Sequence, residues 1–368
     1  TGRMLEAPHR RREQRPEADG ADGVRGRIRR ARTRYGGRFI ERFAVAAWSV
    51  AVWIVAHVPV RLARWVIGSV GQAGYLVLPT KRAWSNANFA RVLGRDPDDR
   101  AVRRLALRAY REYGTYLTDV MRLESLPIED AIARVARNDL ERIQEVWQAS
   151  PGGLIFALAH VGNTDAVAAG VADRGWPIAV VADDSTFPEM FARFRRLREG
   201  WGVQVIPWRN LREIYSVLRN RGMLGLLIDW GYRPDGIPVR LFGAWTTLPA
   251  GPATLAAKTG SVILPVAIRR AADDTFHVSF SDVITVPSAS DADVARATQQ
   301  VADALETTIA AAPEQWYSFK PMWPPTDADA AALAARAAAV QAAVPEPTAP
   351  GPDAGSPATS SAAPATTG

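Results

Sequence analysis

Gly153-Leu154-Ile155-Phe156-Ala157-Leu158-Ala159-His160-Val161-Gly162-Asn163-Thr164-Asp165 decides how the rest of this chain is read. Residues 153–159 are continuously apolar and follow Pro151-Gly152, the pattern of a strand buried on both faces in a parallel sheet. His160 closes that strand. Gly162-Asn163 suits the left-handed backbone of a tight turn, and over residues 165–174 the spacing of Val167, Val171 and the alanines predicts a helix. In open α/β sheets ligands bind beyond the carboxyl ends of strands, where His160 would stand. Asp165 falls in the first helical turn, where the positive end of the helix dipole favours its charge. The two are therefore expected to act as a base and its orienting group: Asp165 accepts from one ring nitrogen of His160 and leaves the other free to take a proton. The competing reading is a strand-end histidine that is merely hydrogen-bonded.

Working outward, further strands are expected at residues 178–182, 203–207, 224–228, 239–242, 262–268 and 276–284, and helices at 98–123, 139–148 and 291–311. Strands alternating with helices predict an α/β fold: a mixed, mostly parallel central sheet flanked by helices, with an N-terminal helical membrane-associated segment. No internal repeat is evident.

What a base at residue 160 serves is narrowed by exclusion. The chain has no cysteine, so a catalytic thiol and an enzyme-bound thioester are ruled out. No Gly-x-Ser-x-Gly elbow occurs, and Ser69, Ser261 and Ser279 lack the strand-turn-helix setting of a serine nucleophile. No metal site is expected, since His9, His57 and His277 lie in a polar tail, an apolar segment and a late strand.

His160 and Asp165 with Gly162-Asn163 between them resemble the His-x-x-x-x-Asp block of lysophospholipid acyltransferases. The likeness is to the bacterial branch of lipid A lauroyl or myristoyl acyltransferases and phosphatidylinositol mannoside acyltransferases. It extends from about Trp84 to Pro325, through Asn86-Ala87-Asn88-Phe89-Ala90-Arg91-Val92-Leu93-Gly94 and Leu197-Arg198-Glu199 before Val203-Gln204-Val205-Ile206-Pro207. Asp235-Gly236-Ile237-Pro238-Val239-Arg240-Leu241-Phe242-Gly243, Gly251-Pro252-Ala253-Thr254-Leu255-Ala256 through Leu264-Pro265-Val266, and Pro313-Glu314-Gln315-Trp316-Tyr317 complete it. The resemblance implies transfer of an acyl group from acyl-CoA or acyl carrier protein, as co-substrate, to a hydroxyl of a membrane lipid. His160 would be the general base and Asp165 its orienter, with no acyl-enzyme and no cofactor. Asn163 lies inside the block and Arg198 falls where the family places an arginine near the donor; both are expected to bind substrate, as is Lys320 after the Trp-Tyr block.

Two departures concern a further acid. The mannoside branch adds a glutamate near the Phe-Gly segment, and the matching place here is Pro238; Asp235 is a substitute or a turn residue. The lipid A branch has an Asp-x-Asp pair after the preceding strand, of which Asp229-Trp230-Gly231 keeps the first, at another strand end; Asp229 and Asp235 are both expected among the substrate-binding residues. Over residues 187–198, Phe187, Met190, Phe191, Phe194 and Leu197 alternate with Arg193, Arg195, Arg196 and Arg198. That helix reads either as a packed element with a solvated basic face or as a lid or phosphate clamp.

The composition, 48% hydrophobic with a formal charge of +7, fits work on anionic lipid. Arginines at 25, 27, 29, 30, 32, 34, 38 and 42 precede an apolar run at 43–60 that is marginal for a bilayer span. Arg61 and Arg64 put positive charge beyond it too, which argues against crossing. Helices at 43–58 and 62–78 are expected to lie in the cytoplasmic leaflet of the plasma membrane, with Trp48, Trp53, Trp65 and Tyr75 at interfacial depth; the alternative is a single spanning N-terminal helix over 43–60. The chain then divides into a disordered basic tail (1–36), the anchor (37–80), the acyltransferase domain (81–326), a solvated alanine-rich helix (327–344) and a second disordered tail (345–368). The most favoured acceptor is a phosphatidylinositol mannoside-like lipid. Other readings are a lipid A-type lauroyl acyltransferase, a thioesterase or lipase with water in place of the acceptor, and a non-catalytic lipid-binding protein. No nucleic-acid partner is expected, because the basic tail comes without a recognition motif.

Overall fold

The computed structural model describes residues 39, 41–125, 127–135 and 140–343; the two tails of the sequence reading lie outside these. At its centre is a six-stranded sheet built from β1 (Leu154–Leu158), β2 (Ile178–Ala182), β3 (Gln204–Pro207), β4 (Met223–Leu227), β7 (Val262–Arg270) and β8 (Phe276–Phe280) in the order β3-β2-β4-β1-β7-β8. The first five run parallel and β8 closes the edge antiparallel to β7. β1 lies inside the sheet and all five of its residues are buried, which is why its sequence is apolar without alternation.

Alternate residues of β1 feed two separate cores. Leu154, Phe156 and Leu158 pack with Met223, Leu264 and Val266 under α6 (Glu141–Ala149) and α7 (Thr164–Asp173), through Ile143, Val146, Val167 and Val171. Ile155, Ala157 and Ala159 face the other way, towards Phe89 of α3 (Pro79–Leu93), Leu105 of α4 (Arg100–Ser125), Leu218 of α9 (Leu211–Arg219), Leu255 of α10 (Gly251–Thr259) and Leu305 of α11 (Asp291–Ala311).

The strand expected at 239–242 is β5 (Ile237–Leu241), and it lies outside the central sheet. It pairs antiparallel with an unanticipated β6 (Ala244–Leu248). Phe242 and Gly243 have φ of 48° and 71°, the two left-handed residues of a tight hairpin turn. The alanine-rich helix α12 (Asp327–Ala343) is a packed element, not a solvated extension: Leu333 and Ala337 are each 1% exposed, and the Arg336 guanidinium donates to the Pro234 and Gly236 carbonyls.

At the N-terminal side, residues 41–57 form helix α1 and, after Pro59, α2 (Val60–Val77) follows. Among the described residues no helix is long and apolar enough to cross a membrane. α2 lies on α4 at backbone contact: a Cβ on Gly114 would sit 2.6 Å from the Ile67 carbonyl oxygen and 2.7 Å from the Gly68 Cα. A charge network locks the same contact. Arg64 of α2 donates to Asp119 of α4 at 2.7 Å and to Asp274, after β7, at 2.6 Å, while Arg270 pairs with Glu112 of α4. Because neither backbone can yield, Gly114→Leu is expected to destabilise the protein by about 1–3 kcal/mol and to speed proteolytic cleavage within α2. A melting curve and a limited digest check it.

Candidate active site

β1 and β4 are neighbours in register, Leu158 opposite Leu227. His160 and Asp229 each lie two residues further on, so the sheet sets them level at its carboxyl edge. The contact is close: His160 Nδ1 and Asp229 Oδ1 are 2.6 Å apart, and the His160 backbone N–H donates to both carboxylate oxygens at 3.1 and 3.0 Å. A third donor comes from the segment after α11, where Trp316 Nε1–H reaches Asp229 Oδ2 at 2.8 Å. That segment is pinned by the Tyr317 N–H donating to the His160 carbonyl. Gly162 shapes the turn, with φ of 66° and no room for a Cβ against the Ile268 carbonyl.

The electrostatics follow. Burial works against charge on Asp229, yet His160 and the Trp316 hydrogen bond hold its pKa below the ordinary carboxylate value. Burial likewise opposes the imidazolium, but the charge and hydrogen bond of Asp229 prevail and raise His160 above 6.5. An ionised carboxylate only accepts, so Nδ1 carries the proton and Nε2 is the acceptor. The ring keeps 30% exposure. It meets the Trp230 ring edge-on, centroids 5.5 Å apart.

Trp230 also borders a cavity of about 220 Å³ between the sheet and α7. Phe156, Leu158, Val180, Gly225, Leu227, Val266 and Ile268 form its floor, Val167, Ala168 and Val171 its roof, and Thr164, Asp165, Asp183 and Arg198 its polar rim. Lys320 stands near the rim with Nζ 4.2 Å from the Trp230 ring centroid, its pKa lowered by burial and by Lys81.

The expected orienter is corrected. Asp165 is in the first turn of α7, but its carboxylate is held by Arg198, Nε to Oδ1 at 2.7 Å and a second nitrogen to Oδ2 at 3.3 Å; the partner of the His160 ring is Asp229. Asp235 is no substitute acid for Pro238, since it is 71% exposed and paired with Arg233. Asn163 caps α7, its Oδ1 accepting from the Ala166 N–H at 3.1 Å. It is 1% exposed, and this cap is the one job the geometry shows for it. The basic helix is α8 (Pro188–Gly200), and its arginines are mostly committed: Arg193 to Glu124 and Ser49, Arg195 to Glu199, Arg198 to Asp165. Trp316 and Trp230 join the site unanticipated, although both stand beside residues singled out by the family resemblance, Tyr317 and Asp229. So does Tyr116, which stacks on Tyr317 with centroids 5.1 Å apart. Among the described residues no group of three or more acidic or histidine side chains is placed to hold a metal ion.

A histidine with one free nitrogen, oriented by a buried carboxylate beside an apolar cavity, can take a proton from a hydroxyl or from water. Residues 31–324 match the family described as bacterial lipid A biosynthesis acyltransferase. The chain is 28% identical over 295 residues to the phosphatidylinositol mannoside acyltransferase of Mycolicibacterium smegmatis, covering 78% of this chain and 92% of that one. Over 249 residues it is 29% identical to the protein of the same name from Mycobacterium tuberculosis, covering 64% and 75% respectively.

The pairing sets a measurable titration. The His160 imidazole is expected to titrate above 6.5 by NMR, and Asp229→Asn to lower its midpoint, because the amide removes the charge that favours the imidazolium. An unchanged midpoint in the variant would break the assignment.

Proposed function

The chain belongs to the bacterial lipid A biosynthesis acyltransferase family and is an O-acyltransferase, and from that premise we propose that it acylates a phosphatidylinositol mannoside-like glycolipid with acyl-CoA or acyl carrier protein as donor. The observation that carries this is the His160–Asp229 pair, 2.6 Å apart, whose imidazole meets Trp230 at the border of an apolar cavity. The printed name of the relatives supports the acceptor class.

In this reading the acyl chain lies in the cavity and its thioester at the rim. His160 Nε2 takes the proton of the acceptor hydroxyl, and the oxygen attacks the thioester carbon. The C–S bond then breaks, and the proton on Nε2 passes to the leaving sulfur. Asp229 stays ionised throughout and stabilises the transient imidazolium. Arg198 and Asp165 form the polar rim through their ion pair, and Lys320 supplies positive charge for the phosphates of the donor or acceptor. A base works in its neutral form. Since Asp229 raises the pKa of His160, kcat/KM is expected to climb with pH along a limb lying above 6.5.

The anchor reading rests on exposed side chains. On α1, Phe43, Val50 and Trp53 are 70%, 58% and 64% exposed. On α2, Leu62, Trp65, Val66, Val70 and Val77 recur at three-, four- and seven-residue spacing and are all exposed. These stripes would enter one leaflet of the plasma membrane from the cytoplasmic side, as interfacial helices do.

Two experiments follow. His160→Ala is expected to cut acyl transfer by about a hundred- to ten-thousand-fold, and mass spectrometry of lipids from cells carrying it should show the glycolipid lighter by one acyl group. Free fatty acid as the wild-type product would point instead to a hydrolase. Gly225 lies opposite Phe156, two residues inward from Leu158 and Leu227, or roughly 7 Å deeper. Its Cβ would meet Val180 at 3.3 Å. Gly225→Leu is therefore expected to shorten the preferred acyl chain in a donor-length series while retaining transfer of short chains.

A further inference from the structure

A second, larger cavity of about 700 Å³ opens on the other part of the molecule, where the end of α2 meets α3 and the start of α4. Arg82, Arg100, Arg103 and Arg104 line it, over Tyr75, Pro79, Ala83 and Leu107. No step of the acyl transfer described above uses it. The charge there is concentrated: residues 76–111 hold nine basic and three acidic side chains. Asp98 is in the cavity wall and takes Arg103. Arg82 spends one nitrogen on the Leu76 carbonyl. Among the described residues the guanidinium groups of Arg100 and Arg104 have no hydrogen-bond or ion-pair partner.

The arrangement costs stability. Arg100, Arg103 and Arg104 share one face of the first turn of α4, at spacings of three and four, and no acidic residue stands in that turn. Like charges at that spacing repel; the helix N-terminus itself is capped by Asp99, which accepts from the Ala101 N–H at 2.6 Å, and Asp98 takes Arg103, so the uncompensated charge is that of Arg100 and Arg104. An anion placed between those two would offset their repulsion, with planar guanidinium forks suited to phosphate oxygens. The source of that phosphate is indicated by the rim. Leu76, Val77 and Leu78 are 61%, 70% and 50% exposed, and they continue the apolar stripe of α2 up to the edge of the cavity. A ligand that offers phosphate to the arginines and hydrocarbon to this stripe is a phospholipid seen from the bilayer surface.

We infer that this cavity binds the phosphate of an anionic phospholipid headgroup, at a site separate from the His160 cleft, and so fixes how the protein sits on the membrane. The inference rests on the interfacial reading of α1 and α2, and the test separates the two. Full-length wild-type protein and the double variant Arg100→Ser/Arg104→Ser are partitioned onto phosphatidylcholine vesicles with and without phosphatidylinositol. A control of equal charge change, Arg91→Ser/Arg108→Ser, alters exposed arginines of α3 and α4 outside the cavity. Wild type should prefer the anionic vesicles. The cavity variant should lose roughly a factor of five in that preference per arginine, with transfer to a detergent-dispersed acceptor unchanged, while the control loses clearly less. Equal losses in cavity variant and control would reduce the site to diffuse surface charge and overturn it. Failure of wild type to bind either vesicle would instead remove the interfacial reading. Saturable binding of inorganic phosphate with no vesicle preference would overturn the lipid assignment. Because Arg100 and Arg104 have no partner to lose, circular dichroism of the variant should match wild type; if it does not, Arg104→Gln, keeping a polar side chain, should still give half the logarithmic loss.

Discussion

The parallel register of β1 on β4 is the constraint from which the chemistry of this molecule follows. Leu158 opposite Leu227 means that two more residues on both strands bring an imidazole and a carboxylate face to face. The backbone takes part, since the His160 N–H donates to the same carboxylate that orients its ring. Asp229 thus accepts from three donors while 2% exposed. A buried carboxylate is tolerable only when its lone pairs are satisfied in this way. The wall that supplies Trp316 closes the arrangement, and it is held by the Tyr317 N–H on the His160 carbonyl. Orientation of the imidazole is thereby a property of the sheet, not of a flexible loop.

A second set of charges, gathered around the buried Asp119, holds α2 and α4 to the β7 end of this sheet. Arg64, Arg134 and Arg270 surround Asp119 and Asp274. Asp119 Oδ2, Arg64 Nε and an Arg134 nitrogen are left without hydrogen bonds there. Such a cluster is weak evidence for added stability, because desolvation offsets much of the attraction. It does select one docking geometry: sliding α2 along α4 would strand Arg64 away from both carboxylates, and Gly68, Gly71 and Gly114 give the two backbones a single close fit.

What the sequence made legible was local. The unbroken apolar run of β1, the histidine at its end and the helix begun by Asn163 could be read directly, because each is decided by neighbours along the chain. The true partner of His160 could not, since it lies 69 residues away and strand order is a tertiary fact. Asp165, five positions on, was the nearer candidate and is occupied by Arg198. A clue was present: Asp229, like His160, directly follows a short apolar run, and two strand ends of equal offset meet if their strands are neighbours. Phe242-Gly243 hid a hairpin because phenylalanine seldom takes a left-handed backbone. α12 looked solvated because its buried face is a leucine and an alanine four positions apart, too thin a stripe to stand out among alanines.

The two halves of the molecule meet at α8. None of its residues is fully buried, so it has little core of its own, and its position is set by what grips it. Glu41 of α1 accepts from the Glu189 N–H at its N-terminal end at 2.6 Å. Phe194 packs edge-on against Trp48 of α1 at 5.3 Å, and Arg193 reaches Ser49 of α1 as well as Glu124 of α4. The far end of the same helix supplies Arg198 to Asp165 at the cavity rim. A helix held mainly at its polar and aromatic contacts moves with the partner that makes them, because few apolar atoms resist displacement. The rim of the cavity beside Trp230 is accordingly fixed by the helix that exposes Phe43, Val50 and Trp53, so the surroundings of His160 are built partly on a segment with apolar surface left to cover.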